Sequence, residues 1–458
     1  MCVLCPLAAR RNHGAEAAGE VPRASSNYNG FLNRIGGQSA QRFLSPVLKN
    51  EGNRLTEVGQ AFIPRFALTI GARDLGAVGD VLWAVLLDDR SELVAHVSIL
   101  LLAAPRRPET PNASLFAPLT LRALQCILTP KTGVRAAIVG CGLIGRKRAA
   151  SLPPASVTVC CDIEVQRAAQ LAAATRGAVP SSDWLATVRR DDVDAVFIAT
   201  THDQLAVVAA EAASAGKHVL IEKPGARRAS ELDAVAVAAS RTGALVRIGF
   251  NHRYHRAFRK AREIFESGAL GGLMFIRGRY GHGGRPGYDR EWRAEPALSG
   301  GGELIDQGAH LIDLSRWFLG DFPSVRGRAR TYFWDMAVED NGFLLLETAG
   351  GQVAFLHASW TEWKNLFSFE IAGRVGKLEI SGLGGSYGPE RLTWYKMSPE
   401  MGPPETLAWE YPMADDSWHA ENAAFLEDIR LGRQPDPGIA DAQAVLRIIE
   451  TVTRETPL

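Results

Sequence analysis

The sequence predicts an α/β protein in which a parallel sheet flanked by helices is followed by an α+β domain with a large open, mostly antiparallel sheet. From Val134 onward, short apolar runs alternate with segments of helical length, as in "VRAAIVG", "LIGRKRAASL" and "VTVCCD". This alternation is typical of parallel strands joined by crossover helices. After residue 250, strand-like runs such as "NGFLLLET", "QVAFLHASW" and "LFSFEIAG" follow at short spacing, which indicates an antiparallel sheet.

The chain divides into three segments. Residues 134–250 form the first predicted domain, and residues 251–458 form the second. Residues 1–133 are an extension of uncertain fold in which we find no motif. No methionine lies between Met1 and Met274, so no internal methionine could start the first predicted domain. We hypothesise that the extension is not a functional module and that it reflects a start codon placed too far upstream.

The composition is that of an ordinary soluble globular protein. The chain has 458 residues, of which 46% are hydrophobic and 22% charged, and its formal net charge is +1. A charge so close to zero gives no reason to expect a nucleic-acid or membrane partner. Six cysteines are too few for a disulfide framework, so the expected location is the reducing cytoplasm. Cys2 and Cys5 have zinc-like spacing, but no second pair follows, and we expect no metal site.

A glycine motif follows the first apolar run and opens the first predicted helix. Gly140, Gly142 and Gly145 have GxGxxG spacing. In this context the first glycine permits a tight turn, the second lets the backbone approach a pyrophosphate, and the third lets helix and strand pack closely. The N-terminus of the helix attracts the pyrophosphate. The motif therefore predicts an N-terminal Rossmann domain that binds a dinucleotide.

Asp162 ends the second predicted strand, twenty residues after Gly142. A carboxylate there can accept both ribose hydroxyls and would repel a 2′-phosphate, so NAD is favoured over NADP. The next residues, Ile163 and Glu164, supply no cation for such a phosphate. Ligands in this fold gather beyond the carboxyl ends of the strands. The other residues that we predict to bind the cofactor are Leu143, Ile144, Thr200, Thr201, His202, Glu222 and Lys223.

Two later motifs contain residues suited to proton transfer. Lys223, in "IEKP", ends a later strand of the same predicted sheet and should therefore lie near the nicotinamide. In "GGGELIDQGAHLIDL", a predicted helix carries Asp306 and His310 four residues apart. Residues four apart share a helix face, so both side chains can point into one cleft while Leu311 and Ile312 serve the buried side. A histidine is suited to proton transfer because its ordinary pKa is near 6.5.

Together these motifs resemble the Gfo/Idh/MocA oxidoreductases. The matching features are GxGxxG at 140–145, "EKP" at 222–224, "GFNHRY" at 249–254 and the glycine-rich helix at 300–314. The resemblance covers roughly residues 134–455, all but the extension. It implies a Rossmann domain, a C-terminal domain with a large open sheet, and a nicotinamide cofactor. It also implies that Lys223, Asp306 and His310 match the family's catalytic positions.

The predicted activity is that of an NAD(P)-dependent dehydrogenase or reductase acting on a CH–OH group. His310 is expected to remove the hydroxyl proton during oxidation, or to donate it during reduction. Lys223 is expected to hydrogen-bond the reacting oxygen and stabilise developing alkoxide charge. Asp306 is expected to position substrate hydroxyls and to tune its cationic neighbours. Asp313 could pair with His310 or take part in a contact between the domains.

Candidate substrate residues flank the predicted cleft. Asn251 and Arg253 follow the last strand of the first domain, where the resemblance implies the lining of the cleft. The loop after His282 is rich in arginine and aromatic residues, which could bind a phosphate, a carboxylate or a nucleotide-linked sugar, or could form a solvated loop. Its candidate residues are Arg285, Tyr288, Trp292 and Arg293.

Two other features of the second domain bear on its possible ligands. The segment "SWTEWKN" at 359–365 could add an aromatic wall suited to the apolar faces of sugars. His252 and His255 have no acidic or cysteine partners at ligand spacing, so we predict no metal site there.

The favoured substrate is the secondary alcohol or ketone of a sugar, polyol or nucleotide sugar. One alternative is a cofactor-retaining oxidoreductase that passes hydride between two sugars, and another is a non-catalytic dinucleotide-sensing regulator on the same fold. An open sheet exposes a broad face that usually needs covering. We therefore expect a homodimer or homotetramer packed through the C-terminal sheet.

Overall fold

The computed structural model describes residues 133–455, together with the backbone of three strands in the preceding segment. These strands are β1 (Phe66–Gly71), β2 (Leu82–Leu87) and β3 (Ser98–Ile99). They belong to a separate compact unit, Met1–Leu128, and form an antiparallel sheet in the order β1-β2-β3. Cys2 and Cys5 lie outside the described residues. The expectation that residues 1–133 are not a functional module stays a prediction.

The first domain is built on a six-stranded parallel sheet, in agreement with the predicted fold class. Its strands are β4 (Ala136–Val139), β5 (Val157–Cys161), β6 (Val179–Ser181), β7 (Ala195–Ile198), β8 (His218–Glu222) and β9 (Val246–Gly249). They lie in the order β6-β5-β4-β7-β8-β9. Every residue of β4, β7 and β9 is buried, as expected for strands covered by helices on both faces.

Helices connect these strands on both sides of the sheet. They are α1 (Leu143–Ala150), α2 (Val165–Ala174), α3 (Trp184–Val188), α4 (His202–Ser214) and α5 (Asp233–Thr242). The apolar pattern does not predict β6 or α3. Strand β6 is a three-residue edge strand that contains Pro180, and elements this short leave no periodic signal.

The second domain contains an eight-stranded sheet that is antiparallel except for one pair. Its strands are β10 (Leu273–Gly281), β11 (Ser324–Arg330), β12 (Asn341–Glu347), β13 (Val353–Ser359), β14 (Leu366–Gly373), β15 (Gly376–Ser381), β16 (Glu390–Lys396) and β17 (Glu405–Tyr411). They lie in the order β11-β12-β13-β10-β14-β15-β16-β17, and only β10 and β13 pair in parallel. Its helices are α6 (Arg256–Glu266), α7 (Pro296–Ser299), α8 (Ala309–Leu319), α9 (Ser417–Leu431) and α10 (Ile439–Glu455). No helix in the described part of the chain has the length and apolar character needed to cross a membrane.

The second sheet has one buried face and one open face. Helix α8 packs on the buried face so closely that a Cβ at Gly278 would lie 3.2 Å from Leu311. On the opposite face, Leu345 is 45% exposed and Phe355 is 52% exposed. Alternation of this kind is typical of an antiparallel sheet covered on one side.

Helix α9 belongs to the second segment of the chain but packs in the first domain. It follows the second sheet in the chain, yet its Phe425 is fully buried in the core of the first domain. The Phe425 ring lies 5.8 Å from that of Phe197 on β7, edge to face. On the same helix, Asn422 Oδ1 accepts a hydrogen bond from Arg148 Nη1 (2.8 Å), on α1. The C-terminal region thus completes the core of the first domain, and a division at residue 250 describes chain order rather than packing.

The substitution Phe425→Ala should lower the free energy of unfolding by about 3–5 kcal/mol, because it leaves a cavity in the core beneath the first sheet. The measurement is equilibrium unfolding in urea. The matched control is Leu431→Ala, at a position on the same helix that is 51% exposed. This control should change the free energy by less than about 0.5 kcal/mol. Equal effects of the two variants would show that α9 does not anchor the first domain.

Candidate active site

The glycine motif forms a turn whose geometry requires glycine. Gly140 has a φ of +95°, and a Cβ there would lie 2.4 Å from the carbonyl oxygen of Ala199. A Cβ at Gly145 would lie 1.8 Å from the carbonyl oxygen of Gly140, so α1 and the turn approach more closely than a side chain permits. By contrast, a Cβ at Gly142 would meet no atom within 4 Å. This open space lies at the N-terminus of α1, where free N–H groups suit a pyrophosphate.

Asp162 lies beside this turn, at the carboxyl end of β5. Its Oδ2 accepts a hydrogen bond from the backbone N–H of Cys141 (2.7 Å), and its Oδ1 accepts one from the N–H of Glu164 (2.9 Å). These bonds fix the carboxylate, while each oxygen keeps acceptor capacity for a ribose hydroxyl. The next side chain, Ile163, is uncharged and 81% exposed. The residues present therefore fit NAD, and the side chain that follows Asp162 supplies no cation for a 2′-phosphate.

A cleft of about 560 Å³ brings together most of the predicted site residues. Six predicted cofactor residues line the cleft: Leu143, Ile144, Thr200, His202, Glu222 and Lys223. Five predicted substrate residues also line it: Asn251, Arg285, Tyr288, Trp292 and Arg293. Asp306 and His310 complete the list. Thr201 is not part of the lining, and its Oγ1 donates to Asp203 Oδ1 (2.6 Å) instead.

Lys223 and Asp306 meet in the cleft, one from each domain. Lys223 follows β8, and its Nζ donates to the carbonyl oxygen of Asp306 (2.7 Å) and to the Oδ1 of the same residue. Arg293 Nε donates to the other carboxylate oxygen of Asp306 (2.9 Å). Burial disfavours the ionised form of Asp306, but the charges of Lys223 and Arg293 outweigh burial and hold its pKa well below the ordinary range. Asp306 is therefore a carboxylate held between two cations.

The segment that carries Asp306 is a π-helical turn rather than part of a regular α-helix. It spans Leu304–Gly308 and leads directly into α8. Such turns occur mostly as single insertions at functional sites. A Cβ at Gly302 would lie 1.9 Å from the carbonyl oxygen of Glu339, so the glycine run lets this segment pack against the second sheet. Asp306 and His310 consequently both reach the cleft, although the predicted regular helix is replaced by a π-to-α junction.

His310 is buried at the start of α8, with its ring stacked on that of His252. The two ring centroids lie 3.7 Å apart, at an interplanar angle of 24°. Nδ1 of His310 is buried and has no hydrogen-bond partner among the described residues. Burial and the charge of Lys223 outweigh the attraction of Asp306 and lower the pKa of His310 well below the ordinary histidine value. His310 is therefore neutral at neutral pH and able to accept a proton.

His252 has its orientation set by a hydrogen-bond chain. Asn251 Nδ2 donates to Ser417 Oγ (2.8 Å), which leaves Asn251 Oδ1 to accept from Nδ1 of His252 (3.2 Å). Nδ1 of His252 accordingly carries the proton, and its Nε2 is an acceptor. Burial, followed by the neighbouring His310 and His255, lowers the pKa of His252 well below the ordinary value. The stacked pair thus consists of two neutral imidazoles.

His255 has two acidic neighbours in the fold, although none stands at ligand spacing in the sequence. Its Nδ1 lies 3.1 Å from Glu390 Oε2, on β16, and its Nε2 lies 4.0 Å from Asp415 Oδ1. Both acids are more than a hundred residues away in the chain, so local spacing could not indicate them. Among residues 133–455, no group of three or more histidine, cysteine or acidic side chains is arranged to hold a metal ion.

His202 and Trp292 pack against each other at another part of the cleft lining. Their ring centroids lie 4.9 Å apart, edge to face. His202 Nδ1 donates to the carbonyl oxygen of Ser299 (2.8 Å), since a carbonyl can only accept. Burial and the charge of Lys223 lower the pKa of His202 to about 4, so it is neutral. This contact joins the first turn of α4 to the arginine-rich loop.

The two arginines of that loop that line the cleft are already paired with acids. Arg285 Nη2 lies 2.6 Å from Glu291 Oε1, with its side chain 66% exposed. Arg293 binds Asp306. Tyr288 is buried against Trp360, with ring centroids 4.9 Å apart. At the cleft, the loop therefore presents aromatic rings and two guanidinium groups that are each paired with a carboxylate.

The structure does not bring Arg253 to the cleft, contrary to expectation. Its side chain is 5% exposed, and its Nε and Nη2 bind the two carboxylate oxygens of Asp313 at 2.9 and 2.6 Å. Its Nη1 binds Asp436 (2.6 Å). Asp313 therefore does not pair with His310. It forms a buried ion pair with Arg253, which joins the segment after β9 to α8.

Several residues that line the cleft were not anticipated. They are Lys147, His252, Tyr280, His282, Gln307, Tyr387 and Trp418. Gln307 Nε2 donates to the hydroxyl of Tyr387 (3.2 Å). Gln307 lies between Asp306 and His310 in the chain, so its position in the motif was an available signal. Tyr387 comes from the glycine-rich segment after β15, which has no motif of its own.

Comparison with known proteins supports the same architecture. Residues 134–250 match the family model described as "oxidoreductase family, NAD-binding Rossmann fold", and residues 258–379 match the GFO/IDH/MocA C-terminal domain. A levoglucosan dehydrogenase from Pseudarthrobacter phenanthrenivorans is 32% identical over 173 residues, which are 37% of this chain and 44% of that protein. Inositol 2-dehydrogenase 2 from Saccharopolyspora erythraea is 31% identical over 230 residues, 47% of this chain and 63% of that protein. The chain thus matches about half of the length of these two relatives.

A solved structure of levoglucosan dehydrogenase in complex with NADH shares the fold, with a TM-score of 0.63 and 23% identity over 71% of this chain and 98% of that chain. The two matching family models lie in the same order as the two domains of the structure. The resemblance inferred from the motifs is therefore confirmed: the chain belongs to the Gfo/Idh/MocA oxidoreductase family.

Proposed function

We propose that the protein is an NAD-dependent oxidoreductase that interconverts a secondary alcohol and a ketone on a sugar or polyol. The observation that carries this proposal is the convergence of Lys223, Asp306 and His310 on one cleft that Leu143 and Ile144 of the glycine turn also line. Bound NAD would accept the hydride from the carbinol carbon. The residues of the chain would bind the alcohol, orient it and move its proton.

In this proposal His310 is the general base. Its neutral state suits proton removal from the substrate hydroxyl, and its burial keeps competing water away. Lys223 would donate a hydrogen bond to the same oxygen and stabilise its developing negative charge. Asp306 would hold the Lys223 ammonium at that point through two hydrogen bonds. Proton acceptance and charge stabilisation would thus come from different domains.

The charges of the cleft favour an uncharged substrate. Arg285 and Arg293 were the candidates for binding a phosphate, but each is paired with a carboxylate. A phosphate or carboxylate ligand bound by these two arginines would have to displace those pairs. Neutral polar side chains of the lining that could bind hydroxyls include His282 and Tyr387. We therefore propose a sugar or polyol, and the names of the two relatives, levoglucosan and inositol dehydrogenase, fit this class.

A non-catalytic regulator on this fold is disfavoured by the same geometry. A sensor of dinucleotide needs no general base, yet His310 is held buried and neutral beside a cation. Titratable groups with shifted pKa values cluster at catalytic sites, which favours an enzyme over a sensor. No feature of the cleft favours the sugar-to-sugar hydride exchange over use of free NAD.

We also propose a cytoplasmic homodimer or homotetramer. The reducing location is supported by three buried free thiols, those of Cys141, Cys160 and Cys161. Self-association is supported by the open face of the second sheet, where Leu345 and Phe355 are exposed on adjacent strands. Residues 134–250 would bind the cofactor with help from α9, and residues 251–458 would bind substrate and a second subunit.

The substitution His310→Asn should lower kcat by about 100- to 10,000-fold, because it removes the proton acceptor. The measurement is NADH production over a panel of sugars and polyols. Binding of NADH, followed by its fluorescence, should change less than about threefold, which separates loss of chemistry from loss of folding. The matched control is His419→Asn, at an exposed histidine on α9, which should leave kcat unchanged. An active His310→Asn variant would contradict the proposed role.

The acidic limb of the pH profile should lie below the ordinary histidine pKa of about 6.5. Because the pKa of His310 is lowered in the folded protein, the neutral base persists as pH falls and is lost only when pH approaches the lowered value. The measurement is kcat/KM for alcohol oxidation from pH 4.5 to 8, roughly the range over which histidine titrates. Circular dichroism at each pH controls for unfolding. Half-loss of kcat/KM at or above about pH 6.5 would show that His310 is not held neutral by its surroundings.

The substitution Phe355→Asp should reduce the mass of the assembly in light scattering at micromolar concentration, because it places a charge on the proposed apolar contact. Leu431→Asp, which introduces the same charge at an exposed position on α9, should leave the mass unchanged. A monomeric wild-type protein, or an unchanged mass for both variants, would exclude association through this face.

A further inference from the structure

An exposed cluster of aromatic side chains stands beside the cleft. We call it the aromatic rim; it consists of Tyr332, Phe333, Trp334 and Trp363. Tyr332, Phe333 and Trp363 are 67%, 58% and 66% exposed. The Phe333 ring lies 4.7 Å from that of Trp363 and 5.3 Å from that of Trp334, edge to face in both cases. Single exposed apolar residues are common on proteins, but a contiguous exposed patch marks a binding surface.

The loop that presents the rim is held rigidly. Three consecutive backbone N–H groups, those of Tyr332, Phe333 and Trp334, donate to the carboxylate of Asp340 at 2.9, 2.8 and 3.1 Å. Asp340 is fully buried. The indole N–H of Trp334 also donates to the carbonyl oxygen of Trp360 (3.1 Å). These hydrogen bonds hold the backbone that carries Tyr332, Phe333 and Trp334, and they also hold the Trp334 indole.

Trp363 is held exposed in an unfavourable backbone conformation. Its φ is +54°, in the left-handed region that bulky side chains rarely occupy. The chain opposite it is glycine: a Cβ at Gly283 would lie 3.1 Å from the Cα of Trp363, and a Cβ at Gly284 would lie 2.5 Å from the Trp334 ring. The left-handed backbone at Trp363 and the close approach of Gly283 thus occur together at an exposed indole, while Gly284 makes room for the Trp334 ring.

The rim adjoins the loop that lines the cleft. Strands β10 and β13 end, and β12 begins, at the same edge of the sheet, because Ser359 pairs with both Gly281 and Asn341. The loop after β10 carries His282 and Tyr288 of the cleft lining, while the loop before β12 and the loop after β13 carry the rim. The Tyr288 ring lies 6.0 Å from that of Trp334. The rim is therefore packed directly against the cleft lining, although none of its four residues belongs to that lining.

We propose that the aromatic rim is an outer subsite for a second sugar ring, so that the substrate is a glycoside rather than a free monosaccharide. A pyranose ring has an apolar face of C–H groups that packs on an indole or phenyl ring, while its hydroxyls remain in water. The rim supplies such rings and no ion pair. The inference rests on the proposed function, because it extends the substrate class of the same cleft. The competing occupant of an exposed aromatic patch is a second copy of this chain.

The test compares single sugars with disaccharides that contain them. Glucose, galactose and xylose are paired with cellobiose, lactose and xylobiose, and binding to the full chain with NADH present is followed by saturation-transfer NMR. NADH production is measured in parallel for kcat and KM. The proteins are the wild type, Trp363→Ala, Phe333→Ala and the remote control Leu431→Ala.

The wild type should bind at least one disaccharide more tightly than its monosaccharide. Trp363→Ala and Phe333→Ala should each weaken that disaccharide by about tenfold and leave the monosaccharide within about twofold. Leu431→Ala should leave both affinities unchanged. A disaccharide preference that survives in the rim variants, or a wild type that binds no disaccharide more tightly, would overturn the subsite.

Two further readouts separate the alternatives. A fall in assembly mass for the rim variants, with sugar affinities unchanged, would assign the rim to a subunit interface and overturn the proposal. Disaccharide binding that depends on Trp363 without any NADH production would support the subsite and count against the proposed oxidoreductase. NADH production from a monosaccharide, with disaccharide binding unaffected by Trp363→Ala, would support the oxidoreductase and overturn the subsite.

Discussion

The ion pair between Lys223 and Asp306 is the interaction on which the rest of the site depends. It joins the end of β8 in the first domain to the π-helical turn of the second. Two charges this far from solvent are stable only when each has several hydrogen-bond partners. Lys223 binds both the carboxylate and the main-chain carbonyl of Asp306, and Arg293 binds the remaining carboxylate oxygen. The pair therefore fixes the distance between the domains and the position of the ammonium together.

The strand end that presents Lys223 is itself anchored by charge. Glu222, the preceding residue, accepts from Arg148 Nε (2.6 Å), and Arg148 Nη2 also lies 2.6 Å from Glu421 Oε2 on α9. Arg148 is fully buried between these two carboxylates. Burial and the charge of Glu222 raise the pKa of Glu421 to about 7, against the opposing effect of Arg148. Helix α9 thus supports the site through the Glu421–Arg148 ion pair as well as through Phe425.

The sequence predicted the parts of the site that depend on local spacing. The glycine turn, the position of Lys223 at a strand end and the convergence of Asp306 with His310 all follow from motifs a few residues long. Contacts formed by tertiary packing left no such signal. Three such contacts join positions that are 58 to 135 residues apart in the chain. They are the His252–His310 stack, the His255–Glu390 pair and the Arg253–Asp313 ion pair. The same holds for α9, whose amphipathic pattern does not state which sheet it covers.

Two acids of one motif show how the surroundings divide the chemistry. Asp306 is ionised because Lys223 and Arg293 outweigh its burial. Glu303, one turn earlier, is fully buried, and burial together with the charge of Asp306 raises its pKa well above the ordinary range, so it is neutral. Had both been ionised, the negative charge would favour protonation of His310 and remove the base. The one ionised carboxylate of this motif, shared between two cations, leaves His310 neutral and gives both cations a partner. These are the conditions under which a neutral polyhydroxylated ligand is bound by hydrogen bonds and packing rather than by ion pairing.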